Sequence, residues 1–266
     1  MQKELPEGVK DEGIIEADGH VNLLAGLKRD GELHTEVEYK GITGYVEEEL
    51  DKADVRRNGG KIVNTLLYHT VERVGEYKKA DMSEEDWKEI IRSMYVGDQD
   101  WVVLNIRKYT LGGEIETVHQ CPARTCNEEN RVFLDVDELD IMPFKGKHQI
   151  EFELDMGYEK RKRGEVVETR KKGKMRLPTG EDREILAPIA QKNMSKGNTM
   201  MLTRCVDTLG GKQVHEGIFK SLMSGDRRKL MNKLEENSFG VNLQIDVDCA
   251  HCGRKFTANL NVANFL

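Results

Sequence analysis

Four cysteines are spaced as two pairs that could together hold one metal ion. Cys249 and Cys252 have the CxxC spacing, and Cys121 and Cys126 form a wider pair in the stretch CPARTC. Two thiolates on one tight turn can bind a metal from two sides, and a structural zinc site needs four such ligands. The spacing therefore predicts one closed four-cysteine zinc site, with Gly253 suited to the turn that follows Cys252.

Other interpretations of these cysteines stay open from sequence. The four could be buried free thiols, or the CxxC pair could do redox chemistry, although no βαβ pattern surrounds it. His119 and His251 flank the two pairs, and either could replace a sulfur ligand. Cys205 lies in an amphipathic run beside apolar residues and is predicted to be a core thiol.

A predicted β-hairpin positions each cysteine pair at its tip. The strand-like run EIETVHQ leads into the first pair and RVFLDV follows it, while NLQIDVD and KFTANLNV flank the second. A Gly-Asp dipeptide and a helical run precede each hairpin. Asp98 and Asp226 are predicted N-caps of these two helices, and Gly112 and Gly240 are predicted to end them.

Apolar residues at helical spacing predict earlier helices in each half. Residues 62–74 and 199–209 have this pattern, and Gly75 and Gly210 follow them where a C-cap glycine is expected.

Two further helices are predicted over residues 45–55 and 181–191, and Pro188 is expected to kink or end the second. Ser83 with Asp86 resembles a capping box at the start of SEEDWKEIIRSM.

The two halves of the chain share a collinear series of short matches. Examples are TVERVG with CVDTLG, and RVFLDVDEL with TANLNVANF. The matched positions lie 126 to 136 residues apart, a drift that small insertions explain. This series predicts an internal duplication.

The fold predicted from these patterns is α+β, with two duplicated modules joined at a shared zinc site. The segment between the copies alternates with period two and is predicted to be an antiparallel hairpin with a charged tip. The boundaries are a flexible N-terminal arm at 1–20, a first copy at 21–144, a hairpin insertion with a basic tip at 145–176, and a second copy at 177–266.

Basic residues are concentrated in the hairpin between the copies. A docking arm for an acidic protein or nucleic acid is one interpretation, and a solvated tip is the other. Tyr158 is the one aromatic residue beside the charges, which weakens a single-strand nucleic-acid interpretation. The candidate docking residues are Lys160, Arg161, Lys162, Arg163, Lys171 and Lys172.

Composition, net charge and the motifs that are absent argue against several classes of protein. The chain has 266 residues, 33% charged residues and a net charge of −7, so nucleic acid is an unlikely general partner. No apolar run of membrane-spanning length occurs, and the acidic N-terminus lacks the apolar region of a signal peptide. Cysteines in such a chain fit a reducing compartment. The nucleotide-binding and hydrolase motifs GxGxxG, Walker A, HExxH and GxSxG do not occur, and no small-molecule substrate is indicated.

The order of these motifs resembles the T-even-like phage baseplate hub assembly protein family over about residues 25–266. A "GD…L…R…G" helix that leads into a CPxCG-type knuckle is typical of that family. GDQDWVVLNIRKYTLG with CPARTC fits the first copy, and SGDRRKLMNKLEENSFG with CAHCG fits the second. The first knuckle departs from the family spacing.

The resemblance implies a non-catalytic structural or assembly component of a contractile tail. Its partners would be other baseplate and tail proteins, in the virion or in the host cytoplasm during assembly. Two hypotheses from other classes are a nucleic-acid-binding zinc-knuckle regulator that uses residues 159–176, and an enzyme without a recognised motif. Binding that weakens steeply with salt would favour the regulator, and turnover lost with zinc would favour the enzyme.

Overall fold

Residues 19–260 are described by the structure, a computed structural model, as a mixed α+β fold. The helices are α1 (Gly44–Leu50), α2 (Ala53–Arg56), α3 (Gly59–Thr70), α4 (Glu84–Ser93), α5 (Val96–Leu111), α6 (Gly180–Lys192), α7 (Met194–Cys205), α8 (Glu216–Ser221) and α9 (Ser224–Glu236). The strands are β1 (Gly19–Arg29), β2 (Glu32–Tyr39), β3 (Val71–Val74), β4 (Tyr77–Lys78), β5 (Glu114–Gln120), β6 (Glu129–Asp135), β7 (Ile141–Met142), β8 (Ile150–Lys162), β9 (Glu165–Met175), β10 (Val206–Leu209), β11 (Lys212–Gln213), β12 (Gly240–Val241), β13 (Gln244–Asp248) and β14 (Lys255–Asn259).

The two four-stranded antiparallel sheets have the same arrangement of strands. In each, a long hairpin pairs with a short one, in the orders β1-β2-β3-β4 and β11-β10-β9-β8. After each sheet come a short helix, a longer helix and a two-stranded hairpin that holds a cysteine pair: α4, α5 and β5–β6, then α8, α9 and β13–β14. The predicted cysteine hairpins are confirmed, and so is the antiparallel pairing of the segment between the halves.

The described residues form two apolar cores. Trp87, Ile90 and Leu66 are fully buried in the first, and Phe219 and Leu202 in the second. Full burial of a large apolar side chain stabilises a fold by about 1.5–3 kcal/mol. Each core also contains residues from the other half of the chain. Strand β12 packs into the first core, and part of strand β1 packs into the second. Each half is therefore completed by a segment of the other.

Helices α3 and α6 form the joint between the halves. Gly60 lies so close to α6 that an added Cβ would be 2.5 Å from the Glu184 backbone. The side chain of Asn64 donates to the Glu184 carboxylate at 2.8 Å, and Arg92 binds the same carboxylate with two N–H groups at 3.1 Å. Glycine is required here because any side chain would force the helices apart.

Both long apolar helices end earlier than predicted. Residues 71–74 and 206–209 are strands β3 and β10, and Gly75 and Gly210 lie in the tight turns that follow them, with φ of 56° and 63°. The helix C-cap prediction was wrong because these runs pair with β2 and β9. Non-local pairing overrides local helical spacing.

Pro188 does not end its helix, because α6 continues to Lys192. Proline removes one helical N–H, which leaves the carbonyl four residues earlier without its partner. That carbonyl belongs to Glu184, and the Asn58 side chain donates to it at 2.8 Å across the joint. The helix predicted over 45–55 is split into α1 and α2.

The predicted ends of helices α4, α5 and α9 are partly wrong. Ser83 does cap α4 through the Asp86 N–H, and Gly112 does end α5 with φ of 85°. Asp98 and Asp226 are not N-caps, because Tyr95 and Met223 hold those positions. Gly240 does not end α9 but begins β12, where an added Cβ would lie 2.7 Å from the Gly97 Cα.

The hairpin predicted as an insertion over residues 145–176 is part of a sheet. Strand β9 bonds to β10 as β2 bonds to β3. The predicted arm at residues 1–20 lies outside the described residues except for its last two positions, which belong to β1. The other boundaries stay predictions.

Candidate metal centre

Hairpins β5–β6 and β13–β14 bring four sulfur atoms together. The Cys121 and Cys252 sulfurs are 3.7 Å apart, as are those of Cys126 and Cys249, and all four lie within 4.8 Å of one another. Zinc–sulfur bonds of about 2.3 Å in a tetrahedron place the sulfurs about 3.8 Å apart. The sulfur arrangement therefore fits one tetrahedral metal ion, with ligands from sequence positions more than 120 residues apart.

Each cysteine pair is held by a tight turn with a left-handed residue after the second cysteine. Gly253 has φ of 71°, as its predicted role requires, and its N–H bonds to the Cys249 carbonyl at 2.9 Å. In the first turn, Asn127 has φ of 51°, and its N–H bonds to the Ala123 carbonyl at 3.0 Å. Asparagine is among the non-glycine residues that tolerate this conformation best.

The wider spacing of the first pair does not separate its sulfurs. The Cys126 N–H bonds to the Ala123 carbonyl at 2.9 Å, which closes a turn around Arg124 and Thr125. Both of those residues are exposed. The two extra residues therefore extend into solvent while both sulfurs face inward.

Asn130 connects the two cysteine turns. Its buried side chain accepts the Ala250 N–H at 2.9 Å and donates to the Glu128 carbonyl at 3.1 Å. The bond to Ala250 joins the second hairpin to the first beside the sulfurs. Hydrogen-bonding groups just outside the ligand set commonly hold metal ligands in position in this way. An asparagine four residues after a cysteine is too ordinary a pattern for the sequence to have indicated this role.

The facing sulfurs of Cys249 and Cys126 differ in pKa. The backbone N–H groups of Cys252 and His251 point at the Cys249 sulfur and lower its pKa to about 6. At Cys126, the Glu128 N–H acts in the same direction, but burial and the neighbouring sulfurs outweigh it and raise the pKa to about 12. Negative charges on neighbouring sulfurs repel one another, so four closely packed thiols do not all lose their protons easily. A divalent cation at the centre of the four sulfurs would offset this repulsion.

The other candidate ligands do not join the sulfur cluster. Among the described residues, the cluster that could hold a metal consists of the four cysteines alone. The His119 ring lies 3.0 Å from the Thr117 hydroxyl, and His251 is exposed. Cys205 is buried in the second core, as predicted, and burial raises its pKa to about 12.

The six predicted docking residues all lie on the β8–β9 hairpin and all are exposed. The tip of this hairpin is the stretch 158–169, and β10 reaches β9 only at residues 173–175. Most of the tip therefore extends past the paired part of the sheet, although Lys212 of β11 binds the Glu168 carboxylate at 2.9 Å.

Two buried aspartates, Asp98 and Asp226, hold matching positions in the two halves. They were predicted to be helix N-caps, but the structure gives them a different role. Each long hairpin contains a bulge, between Asn22 and Leu27 in β1 and between Glu153 and Tyr158 in β8. The side chain of Asp98 accepts two backbone N–H groups of the first bulge, and Asp226 does the same for the second.

The bulges end in Gly26 and Gly157, with φ of 82° and 83°. The repeated pattern Leu-x-x-Gly, in LLAG and LDMG, is the signal that could have found these bulges.

Among residues 19–260, no helix is long and apolar enough to cross a membrane. The features described so far define a mixed α+β protein whose two halves have a similar order of elements, with a cluster of four thiols that fits one metal ion. A family model described as "T4 bacteriophage base plate protein" matches residues 74–209, just over half of the chain, and the chain belongs to this family. The match includes Cys121 and Cys126 and ends before Cys249. No curated protein and no solved structure matches the chain.

Membership in the family suggests a structural or assembly role rather than an enzymatic one, with interactions among phage tail proteins. It also implies a location in the tail of the virion. The resemblance to phage baseplate proteins that the sequence motifs indicated is confirmed at this level.

Proposed function

We propose that the chain is a non-catalytic structural or assembly component of a contractile-tail baseplate, stabilised by one zinc ion and acting by docking to other tail proteins. The observation that carries this proposal is the cluster of four sulfurs from two hairpins in a chain of the base plate family. Four protein ligands fill a tetrahedral zinc ion and leave no position for substrate. Such a site holds a shape for binding rather than performing a reaction.

Zinc would be bound by Cys121, Cys126, Cys249 and Cys252 and would act as a cross-link. Hairpin β5–β6 continues from the first core, and β13–β14 lies at the end of the second half. A four-thiolate ion would therefore fix the two halves against each other at a point away from the α3–α6 joint. Because such ions bind the folded chain and not the unfolded one, ligation contributes directly to folding.

The two halves are best explained as copies of one duplicated module. Three features support this: the shared order of elements, the equivalent aspartates at two bulges, and the equivalent left-handed turns after each cysteine pair. We place the β8–β9 hairpin in the second copy, because it occupies the sheet position that β1–β2 has in the first.

Metal analysis and incorporation into tails test the two parts of the proposal. The purified full-length chain should contain about one zinc per molecule, as four thiolate ligands require. Tails purified from the encoding phage, or tail intermediates from infected cells, should contain the chain when analysed by mass spectrometry. A chain without zinc would contradict the metal assignment, and its absence from both tails and intermediates would contradict the structural role.

A further inference from the structure

The loop between α4 and α5 in the first half pairs with the start of α6 in the second half. The Val96 N–H donates to the Pro178 carbonyl at 3.0 Å, and the Gly180 N–H donates to the Met94 carbonyl at 2.9 Å. The two bonds form a short antiparallel bridge, and within residues 19–260 no other such bridge lies outside the named strands. This contact belongs to the joint between the halves.

The equivalent loop of the second half, between α8 and α9, has no such partner. Its sequence is SLMSGD, where the first loop has SMYVGD. Among the described residues, the Leu222 carbonyl and the Ser224 N–H have no hydrogen-bond partner, and the Met223 side chain between them is 63% exposed. An unpaired backbone edge of this kind can pair with a segment of another chain.

The segment before α1 is the equivalent of the segment that starts α6. The Lys40 N–H donates to the Thr70 carbonyl at 2.9 Å, and the Arg176 N–H donates to the Cys205 carbonyl at 2.8 Å. Two residues after each of these donors come the sequences ITG and PTG, which lead into α1 and α6. Residues 42–44 therefore hold the position in the first half that residues 178–180 hold in the second.

Residues 42–44 are open where residues 178–180 are covered. In the part of the chain that the structure describes, the Ile42 carbonyl and the Gly44 N–H have no hydrogen-bond partner. An added Cβ at Gly180 would lie 2.0 Å from the Gln99 side chain, so packing in the joint requires glycine there. An added Cβ at Gly44 would meet no atom within 4 Å, so packing within the chain does not require this glycine.

The charges beside the two open segments are complementary. In the joint, Arg183 of α6 binds Asp100 of α5 at 2.7 Å. Glu47 of α1 stands at the position of Arg183, and Arg228 of α9 stands at that of Asp100, so the signs are exchanged. Glu47 and Arg228 are both exposed, and neither forms an ion pair within residues 19–260.

A second ion pair of the joint has equivalents of unchanged sign. Arg92 of α4 binds Glu184 of α6 at 3.1 Å. Lys220 of α8 and Glu48 of α1 stand at the equivalent positions, and both are exposed. Lys220 pairs with Glu216 on its own helix at 2.6 Å, so it is already held on the surface beside the open loop.

An apolar contact of the joint is also available a second time. An added Cβ at Gly97 would lie 2.3 Å from the Phe239 carbonyl, which shows how closely this segment covers the glycine. The equivalent residues are Leu111 and Gly225. Leu111 is 56% exposed and lines a surface pocket together with Ile42, and an added Cβ at Gly225 would meet no atom within 4 Å.

We propose that a second copy of this chain docks on the α8–α9 loop through its residues 42–48. The segment takes the place on that loop that residues 178–184 take on the α4–α5 loop. Each copy presents two different surfaces, so the association is head-to-tail and builds a ring or an open chain of copies. This inference rests on contacts within the chain and goes beyond the proposed function.

The docked segment repeats the backbone bonds of the joint. The Ser224 N–H of one copy donates to the Ile42 carbonyl of the next, and the Gly44 N–H of that copy donates to the Leu222 carbonyl. A second copy fits this surface better than an unrelated protein, because the hydrogen bonds, the ion pairs and the apolar contact all have an occupied equivalent in the chain.

One part of the joint is not repeated. Gly60 lets α3 approach α6 closely, whereas α7 has Ser195 at the equivalent position. The serine side chain keeps α1 of the second copy further from α7 than α6 lies from α3. The contact between copies is therefore centred on the α8–α9 loop and the first turn of α9.

Self-association of the purified full-length chain tests this proposal. Light scattering after size-exclusion chromatography should give a mass above that of one chain, and the mass should rise with protein concentration. Sedimentation equilibrium then gives the dissociation constant. A chain that stays monomeric at all concentrations overturns the proposal.

Exchange of the complementary charges identifies the surfaces. Glu47→Lys and Arg228→Glu should each raise the dissociation constant about tenfold or more, because each places two like charges opposite one another. An equimolar mixture of the two variants should associate again, since each introduced charge then faces an opposite one. Restored association also shows that both variants are folded. If the mixture associates no better than either variant alone, the assigned charge pair is wrong.

The matched controls reverse charges on exposed residues away from these surfaces. Glu138→Lys and Lys147→Glu change residues that form no ion pair within the described part of the chain, and they should leave the dissociation constant unchanged. Equal weakening by the controls would mean that net charge, and not this contact, governs association.

A glycine substitution separates docking from stability. Gly44→Leu adds a side chain in space that is open within one chain, so its free energy of unfolding should be unchanged or higher. Association should weaken, because the side chain occupies space that α9 of the next copy needs. Gly59→Leu is the matched change, since Gly59 begins α3 and an added Cβ there also meets no atom within 4 Å. It should leave association unchanged.

The docking proposal and the proposed function fail separately. If the chain associates but the charge variants and Gly44→Leu have no effect, the contact between copies lies elsewhere and this proposal is wrong. Neither that result nor a monomeric chain changes whether tails and their intermediates contain the protein, which is the measurement that decides the structural role.

Discussion

Asp98 and Asp226 occupy equivalent places in the two halves, but their hydrogen bonds differ. Asp226 uses both carboxylate oxygens, accepting the Asp155 N–H at 2.8 Å and the Gly157 N–H at 2.7 Å. Asp98 accepts the Leu24 and Ala25 N–H groups on one oxygen. The Gly26 N–H also faces this carboxyl and lowers its pKa, but Oδ2 is buried without a hydrogen bond of normal geometry among the described residues. The same device therefore fixes both bulges, but its electrostatic consequence differs between the halves.

The cysteine turns show the same combination of shared device and different detail. Both place a left-handed residue after the second cysteine, yet one spans four intervening residues and the other spans two. Hydrogen bonding of the backbone is the common element, and the residue types vary around it. The comparison teaches that equivalent positions should be matched by their backbone contacts, and substitutions at them test whether they act alike.

The largest expected effect is the loss of one sulfur from either half. Cys126→Ser and Cys249→Ser should each release zinc and lower the free energy of unfolding by about 5 kcal/mol or more, because ligation energy is folding energy. Metal content and urea unfolding of the two variants measure this. If the halves share one ion, the two losses are equal.

The matched control for sulfur loss is Cys205→Ala, which changes a buried thiol that lies 3.5 Å from the Met201 sulfur. This variant should keep its zinc and lose only about 1 kcal/mol, the cost of a small cavity. A Cys126 variant that keeps zinc while the Cys249 variant loses it would mean that the first half-site is not a ligand set.

The next effect is a pH dependence that belongs to the first half. Burial raises the pKa of Asp98 from 3.8 to about 6. Between these values the folded chain keeps a proton that the unfolded chain has lost, so stability falls as pH rises through this window. The full change is roughly 3 kcal/mol for a two-unit shift in pKa.

Comparison with Asp98→Asn isolates this contribution, because all other groups titrate in both proteins. Urea unfolding at several pH values from 4.5 to 7 should show that the stability of the original chain declines relative to the variant. If the stability of the two proteins depends on pH in the same way, burial does not raise the pKa of Asp98.

At neutral pH, the two aspartates should respond differently to the same substitution. Asp226→Asn should cost about 2 kcal/mol, since its amide nitrogen cannot accept the Gly157 N–H and leaves a buried donor unpaired. Asp98→Asn keeps the single oxygen that accepts both N–H groups and removes a buried charge, so this variant should be at least as stable as the original chain. Thermal and urea unfolding of both variants provide the measurement, and equal losses would refute the difference in hydrogen bonding.

The sequence predicts local features of this fold better than non-local ones. The cysteine hairpins were predictable because alternation of apolar residues and the cysteine spacing are both read within a dozen residues. Strands β3 and β10 were not, since their runs have helical spacing and become strands only through partners on β2 and β9.

The roles of buried polar residues depend on contacts that sequence spacing does not show. Asp98 appeared to be a helix cap, but its partners are backbone groups more than 70 residues away. Pro188 was expected to kink or end a helix, but α6 continues past it and Asn58 supplies the missing hydrogen bond from the other half. In each case the deciding group lies on an element that only the assembled fold brings near.

The smallest expected effect concerns the turn after each cysteine pair. Gly253→Asn makes the second turn resemble the first, where Asn127 already has a left-handed conformation. An added Cβ at Gly253 meets no atom within 4 Å, so any cost comes from the backbone alone. Asparagine tolerates positive φ, and this variant should lose less than about 0.5 kcal/mol.

Gly253→Val is the informative contrast, because a β-branched residue in the left-handed region costs about 1–2 kcal/mol. Unfolding of the zinc-loaded proteins should therefore rank glycine and asparagine close together and valine well below them. If asparagine costs as much as valine, the turn requires glycine for a reason other than φ. The two turns would then not be equivalent, and the case for two similar half-sites would weaken at its most local point.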